Sequence, residues 1–324
     1  MIAEDRQIGF GLSVIVEFYE FPYTGDDIMK KRSAAFIFVD VLLIILMILP
    51  IAGLITLYIL TTPASEGIQI TGARIYFTLD TPIQPFPITE SQVNSLAVVL
   101  VVFWFCLFIT HGIKSKPTTR RQLLAEWIVE ATENLVRTNM DPYFDGFAPF
   151  VAAIMALSAL SSLLTLFGLY PPTSDLNIVA GWALLVFILI THYKMKAGPL
   201  NYLKSFADPI PLTPLNVISE IATPVSMSFR HYGNVLSGSV ISVLVAAGLG
   251  GLSSIVLGRL PGALASFPLF RIGIPAVLSV YFDIFSGCLQ AFIFAMLTML
   301  YITNGFPADE YARRRARKAA KAKR

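Results

Sequence analysis

The chain has 324 residues, 55% of them hydrophobic and only 14% charged, with a mean hydropathy of +0.69. Soluble domains carry about 25% charged residues, so this composition excludes an ordinary globular domain and predicts an all-α polytopic membrane protein. The net charge of +3 is concentrated at the C-terminus, where Arg313, Arg314, Arg315, Arg317, Lys318, Lys321, Lys323 and Arg324 crowd together while the rest of the chain is slightly acidic. That tail, residues 307–324, is expected to lie in the cytoplasm, within reach of anionic lipid headgroups. Cys106 and Cys288 sit in apolar runs, and His111, His192 and His231 are scattered, so neither a disulfide framework nor a metal motif emerges. No glycine-rich loop ends in Lys-Ser/Thr, which argues against nucleotide binding. No cofactor and no nucleic-acid partner is expected.

Residues 1–32 carry early acids, Glu4 and Asp5, and no basic leader, which argues against a cleaved signal peptide. Ile8–Phe21 has the mixed pattern of an interfacial segment. Lys30-Lys31-Arg32 precedes a first span over about residues 33–60, broken by Pro50, with Asp40 near its start at the membrane interface. The basic triplet places the N-terminus inside. Residues 61–92 are polar and rich in proline, as befits an outside loop. A second span, Val93 to Ile113, ends at Lys114, Lys116, Arg120 and Arg121, hence inside.

The next segment differs in kind. Thr119 and Gln122 match a capping box, and Leu123, Leu124, Trp127, Ile128, Ala131 and Leu135 form one apolar stripe. An amphipathic helix on the cytoplasmic surface is predicted, with Glu126, Glu130 and Glu133 on its solvated side. A third span, Phe147 to Leu169, turns at Pro171-Pro172 into a fourth, Leu176 to Ile190, and Lys194, Lys196 and Lys204 mark the inside again. The fifth segment is Leu215 to Leu257 and the sixth Ile272 to Ile302, giving about six crossings with both termini inside. About 43 helical residues extend roughly 65 Å against a hydrocarbon core of about 30 Å. The fifth segment therefore either breaks at Gly248 to Gly251 or tilts steeply, and with the sixth it forms a long antiparallel hairpin.

Arg230 stands in the middle of the fifth segment. A charge at the bilayer centre costs about 2.5–3.5 kcal/mol on insertion scales and marks a functional site by default. Steps of four from it run through Ala222, Ser226, Asn234, Gly238 and Ser242, small residues apart from the asparagine. This ridge predicts a smooth face for a close helical partner. His231, about 100° around the helix, reads as peripheral. The sixth segment carries Asp283, Ser286 and Gln290, with Asp283 and Gln290 two turns apart on one face. If Gln290 is level with Arg230, Asp283 lies level with Ser237 to Ser239, roughly 10 Å toward the outside, while Glu220 lies about 15 Å toward the cytoplasm. Gln290 and Asn234 read equally as interhelical hydrogen-bond glue or as functional groups, and Glu220 equally as an interfacial residue.

At these residues the sequence resembles subunit a of the F-type ATP synthases. The resemblance rests on Pro224-Val225-Ser226, on Ser228-Phe229-Arg230-His231-Tyr232-Gly233-Asn234, and on Leu289-Gln290-Ala291-Phe292-Ile293-Phe294 with Leu297-Thr298. Tyr193-Lys194-Met195-Lys196 and Pro214-Leu215-Asn216 resemble family segments further upstream. It implies a non-catalytic membrane stator that faces a ring of c subunits and is joined to peripheral-stalk subunit b and the rest of the complex. Arg230, Asn234 and Gln290 then match ion-translocating positions, and Glu220 resembles a cytoplasmic half-channel acid. Ser239 and Asp283 stand where the family often has a His and Glu pair. Ala222, Ser226, Gly238 and Ser242 would face the ring. The parts implied are an N-terminal segment (1–32), an added span (33–60), an ion-translocation domain (61–306) and the basic tail (307–324), in the cell membrane. A stand-alone transporter in which Arg230 binds an anionic substrate is the alternative, and inverted repeats, which would favour it, are not evident.

Overall fold

The computed structural model describes residues 34–61, 72–82, 84–114, 119–196, 198–206, 210–257, 270, 273, 277, 278, 280–308 and 311–313. Residues 1–33 and most of the basic tail, with the expectations attached to them, lie outside the described residues. The helices are α1 (Ala34–Thr61), α2 (Glu90–Thr110), α3 (Arg120–Asn139), α4 (Ala148–Leu163), α5 (Leu176–Met195), the short α6 (Pro199–Phe206), α7 (Thr213–Leu257) and α8 (Gly287–Gly305). Among the described residues, six helices are long and apolar enough to cross a membrane, in agreement with the sequence. A 3₁₀ segment, Pro142–Phe147, leads into α4, and a π-helical segment, Val280–Ser286, leads into α8.

One element departs from the expected outside loop. Residues Ile75–Leu79 (β1) and Phe86–Thr89 (β2) form an antiparallel hairpin in which Phe77 pairs with Ile88 and Leu79 with Phe86. Pro87 is tolerated because a two-stranded ribbon leaves one side of each strand without a ladder partner. The hairpin runs directly into α2: the Thr89 N–H donates to Gln92 Oε1 at 3.2 Å, and the Glu90 N–H donates to the Arg74 carbonyl at 2.7 Å.

At the opposite end, which carries the basic clusters and is called the basic side below, Thr119 caps α3 by accepting from the Gln122 N–H. The expected capping box is only half formed. The Gln122 amide donates to the Lys114 carbonyl at 2.6 Å and to Glu126 Oε1 at 2.8 Å instead of returning to the cap. Trp127, in the predicted apolar stripe of α3, is left exposed, while Ala125 and Val136 are buried. Asp40 does more than sit at an interface. Its Oδ1 accepts from Arg121 Nη1 at 2.7 Å and pairs with His111 Nδ1 at 2.9 Å, while Arg121 also lies over the Phe36 and Phe108 rings. One carboxylate thus ties α1 to the end of α2 and the start of α3.

The main core joins α4, α5 and α8 through Val151, Ile154, Ala183, Val186, Phe294, Ala295, Met299 and Ile302, with Met227 reaching in from α7. A second cluster around Leu54, Val98, Leu164 and Leu169 seats α1 and α2. α8 lies against α4, and α7 against α5. α7 is one uninterrupted helix of 45 residues, about 67 Å long. Gly248 to Gly251 do not break it, so the expected interruption there is not formed. Its most apolar stretch is the least buried among those of the six spans.

Gly287 lets α8 approach α4 closely, since a Cβ there would fall 2.8 Å from Ser162 Cβ. Gly287→Val should therefore destabilise the detergent-solubilised protein by about 1–3 kcal/mol, the usual range for overpacking. Thermal unfolding is the check, with Gly287→Ala expected to lose less.

Candidate functional site

Arg230 owes its direction to the side chains around it on α7. Met227, Ser228 and His231 are buried, whereas Ala222, Ser226, Phe229 and Arg230 are exposed. The guanidinium therefore points away from the bundle, and among the described residues no carboxylate forms an ion pair with it. A purely structural salt bridge for Arg230 finds no support in these contacts.

His231 corrects the sequence reading. It is completely buried, with Nε2 3.3 Å from Ser158 Oγ and its ring edge-on to Trp182 and Phe294. The position about 100° from Arg230 faces into the bundle, because α5 and α8 pack on that side of α7. Periodicity gives angles around one helix but not the direction of its neighbours.

Two contacts set the register of α7 against the following segment. Asn234 Nδ2 donates to Ser286 Oγ at 2.8 Å, and a Cβ on Gly238 would lie 3.0 Å from the Phe282 ring. Continued antiparallel, this register sets Arg230 level with Gln290 and Ser237 level with Asp283. Gln290 is buried within the bundle. Asp283 is half-buried and lies in the π-helical segment. Hydrogen bonds of the i→i+5 type turn the chain less per residue than α-helical ones, so Asp283 is rotated off the face it would share with Gln290 in a regular helix.

Gly238 departs from the expected smooth ridge: it is buried against Phe282, while Ser242 is half-buried. Steps of four advance 40° beyond a full turn of an α-helix, so a long i, i+4 row winds around the axis and cannot present a single face. The open part of the ridge is Ala222, Ser226 and Arg230.

A cavity lies toward each end of α7 from this level. On the basic side, an open cavity of about 510 Å³ is lined by Lys194, Tyr202, Asn216, Glu220, Tyr301, Asn304 and their neighbours. Lys194 Nζ donates to both Glu220 oxygens, at 2.7 and 2.9 Å, and the Tyr202 hydroxyl donates to Oε1 at 3.2 Å. Burial, and next the Glu220 charge, push the Tyr202 pKa up, so its phenol stays a donor. Gly305 gives Lys194 its path, because a Cβ there would lie 2.7 Å from Lys194 Cε. In the sequence Lys194 served only as a topology marker. Its motif was visible, but its pairing with Glu220 was not. Toward the hairpin end, a cavity of about 200 Å³ is lined by Ser239 and Asp283 together with Ser162, Thr165, Tyr170 and Ser286. Ser239 and Asp283 thus line one space.

The sequence model of the ATP synthase A chain family matches residues 92–303. The chain belongs to this family. Subunit a 1 of Crocosphaera subtropica is 33% identical over 217 residues, covering 66% of this chain and 85% of that protein. The ATP synthase subunit a of Bacillus pumilus is 30% identical over 230 residues, covering 66% and 91%, and that of Anoxybacillus flavithermus 29% over 239 residues, covering 69% and 95%. As a member of the subunit a family, the chain is a multi-pass membrane protein and a non-catalytic, ion-translocating stator component of the F-type ATP synthase. The matched region contains Arg230, Glu220, Ser239 and Asp283, whereas α1 and the β-hairpin precede it.

The Lys194–Glu220 pair has a measurable consequence. Lys194→Met leaves a half-buried carboxylate without its cation and should cost about 1–3 kcal/mol, below the fully buried range because both side chains retain some exposure. Adding Glu220→Gln should recover much of that loss, and a double-mutant cycle on thermal stability measures the coupling.

Proposed function

We propose that the chain couples ion flow to rotation by presenting Arg230 to a ring of c subunits, between two ion pathways offset along α7. The observation that carries this reading is a guanidinium that forms no ion pair among the described residues, on the open face of a long helix, with a cavity holding a carboxylate toward each end. A ring carboxylate must be neutral while it faces lipid and is driven to ionise beside Arg230, because the fixed positive charge favours its charged form. Arginine keeps its own proton, so it also blocks direct leakage between the pathways. Asp283 and Ser239 would serve the outer pathway and Glu220 the inner one. Asn234, tied to Ser286, and Gln290, level with the arginine, would order the polar surface around it. Ala222 and Ser226, with Ser242 further along, would form the bearing face.

The ion is proposed to be a proton, and each unit charge that crosses 100 mV supplies about 2.3 kcal/mol. Peripheral-stalk subunit b and the remaining subunits would hold the chain still against the ring. Both termini would be cytoplasmic in the cell membrane, with residues 1–32 and 33–60 as additions to an ion-translocation domain over 61–306. The basic tail, residues 307–324, would contact anionic lipid.

Arg230→Ala is expected to abolish ion-driven ATP synthesis in reconstituted vesicles while the catalytic head still hydrolyses ATP. Normal coupled synthesis in that variant would overturn the proposal. Asp283→Asn should slow synthesis at least tenfold without altering assembly, read as rate per assembled complex.

A further inference from the structure

A third cavity, of about 270 Å³, lies at the β-hairpin end and is lined by Tyr58, Gly72, Arg74, Glu90, Thr165, Gly168, Leu169, Tyr170 and Pro171. It shares Thr165, Tyr170 and Pro171 with the cavity that holds Asp283 and Ser239. The two spaces therefore meet at one wall, and Tyr170 stands in both. That tyrosine is held from two sides: its carbonyl accepts from Asn94 Nδ2 at 2.7 Å, and its hydroxyl donates to the Ser174 carbonyl at 3.1 Å. Each volume has room for several water molecules at about 30 Å³ apiece. Glu90 is only 4% exposed, yet it is the acid of this outer space. Its nearest cation in an ion pair, Arg74, stands at the long distance of 4.0 Å. Burying a carboxylate with so loose a pairing is costly unless water reaches it. The Arg74 guanidinium also lies over the Tyr58 ring, 5.2 Å from its centre, which fixes the wall opposite. Tyr58, Arg74 and Glu90 all precede the stretch matched by the family, residues 92–303.

We infer that the outer pathway of this chain has a second stage, in which Tyr58 of α1, Gly72 and Arg74 just before β1, and Glu90 form a hydrated mouth that passes protons beside Tyr170 to Asp283. Glu90 takes a proton from outside water and releases it to water at the Tyr170 wall, and Asp283 receives it beyond. Two carboxylates in series then do the work on the outer side, where Ser239 is a hydroxyl that cannot hold a charged proton relay at neutral pH. The added first span acquires a purpose here, since Tyr58 near its end closes the mouth. The inference rests on the proposed coupling of ion flow to rotation.

The test uses the whole ATP synthase reconstituted in vesicles and driven by an imposed proton gradient. Glu90→Gln is expected to lower ATP synthesis per assembled complex at least fivefold, with Glu90→Asp retaining more than half. A second arm is independent of how Glu90→Gln folds. Gly72 has open space where a Cβ would stand, so Gly72→Cys is introduced with Cys106→Ser and Cys288→Ser. Labelling with a membrane-impermeant, negatively charged thiosulfonate on the outer side should cut synthesis severalfold, and a reductant should restore it. Full synthesis after complete labelling, or in Glu90→Gln, overturns the second stage. If Arg230→Ala still blocks synthesis in those experiments, the coupling reading survives without it. If Arg230→Ala has no effect, the coupling reading itself has failed.

Discussion

The structure depends on one electrostatic constraint: a guanidinium that cannot be neutralised is held at the surface of a helix in a membrane, without a counter-charge from the described residues. A lone buried charge is normally removed or paired. Here the packing of Met227, Ser228 and His231 into the bundle turns Arg230 outward. The buried imidazole matters to this arrangement. Wedged between Trp182 and Phe294 and touching Ser158, it anchors the azimuth of α7 one residue from the arginine. The missing counter-charge is the basis for expecting a partner that brings its own carboxylate.

The acids around Arg230 are treated differently from one another. Glu220 is saturated by Lys194 and Tyr202, so its charge is compensated inside the chain. Asp283 forms no ion pair among the described residues and sits among hydroxyls in a π-helical turn. A compensated acid on one side and a hydroxyl-lined acid on the other make the two cavities chemically unequal. The Asp40 cluster with Arg121 and His111 is a third arrangement, a structural clasp that locks α1 to the bundle. Through that clasp and the Leu54 cluster, the first span is integral to the fold.

Much of this was legible from residues alone. Six spans followed from apolar runs bounded by basic clusters, and the functional weight of Arg230 followed from its cost in an apolar segment. The order of Glu220, Arg230 and Asp283 along the membrane followed from helical rise, and the contacts Asn234–Ser286 and Gly238–Phe282 give a matching register. The β-hairpin was hidden among prolines. The π-helical turn was invisible because it changes hydrogen bonding without changing composition. Lys194 was hidden too, since its partner is 26 positions away on another helix.

The sequence by itself determined how many times the chain crosses the membrane, its charge asymmetry, and the height of each polar group along its helix. These are one-dimensional quantities, set by hydropathy and by a fixed rise per residue. Only the tertiary structure decided azimuth and company. It turned Arg230 outward and His231 inward, buried Gly238 against Phe282, paired Glu220 with Lys194 and opened adjoining spaces on either side of Tyr170. Rotation about a helix axis is settled by what packs against it, and packing between distant segments leaves no periodic trace in any one of them.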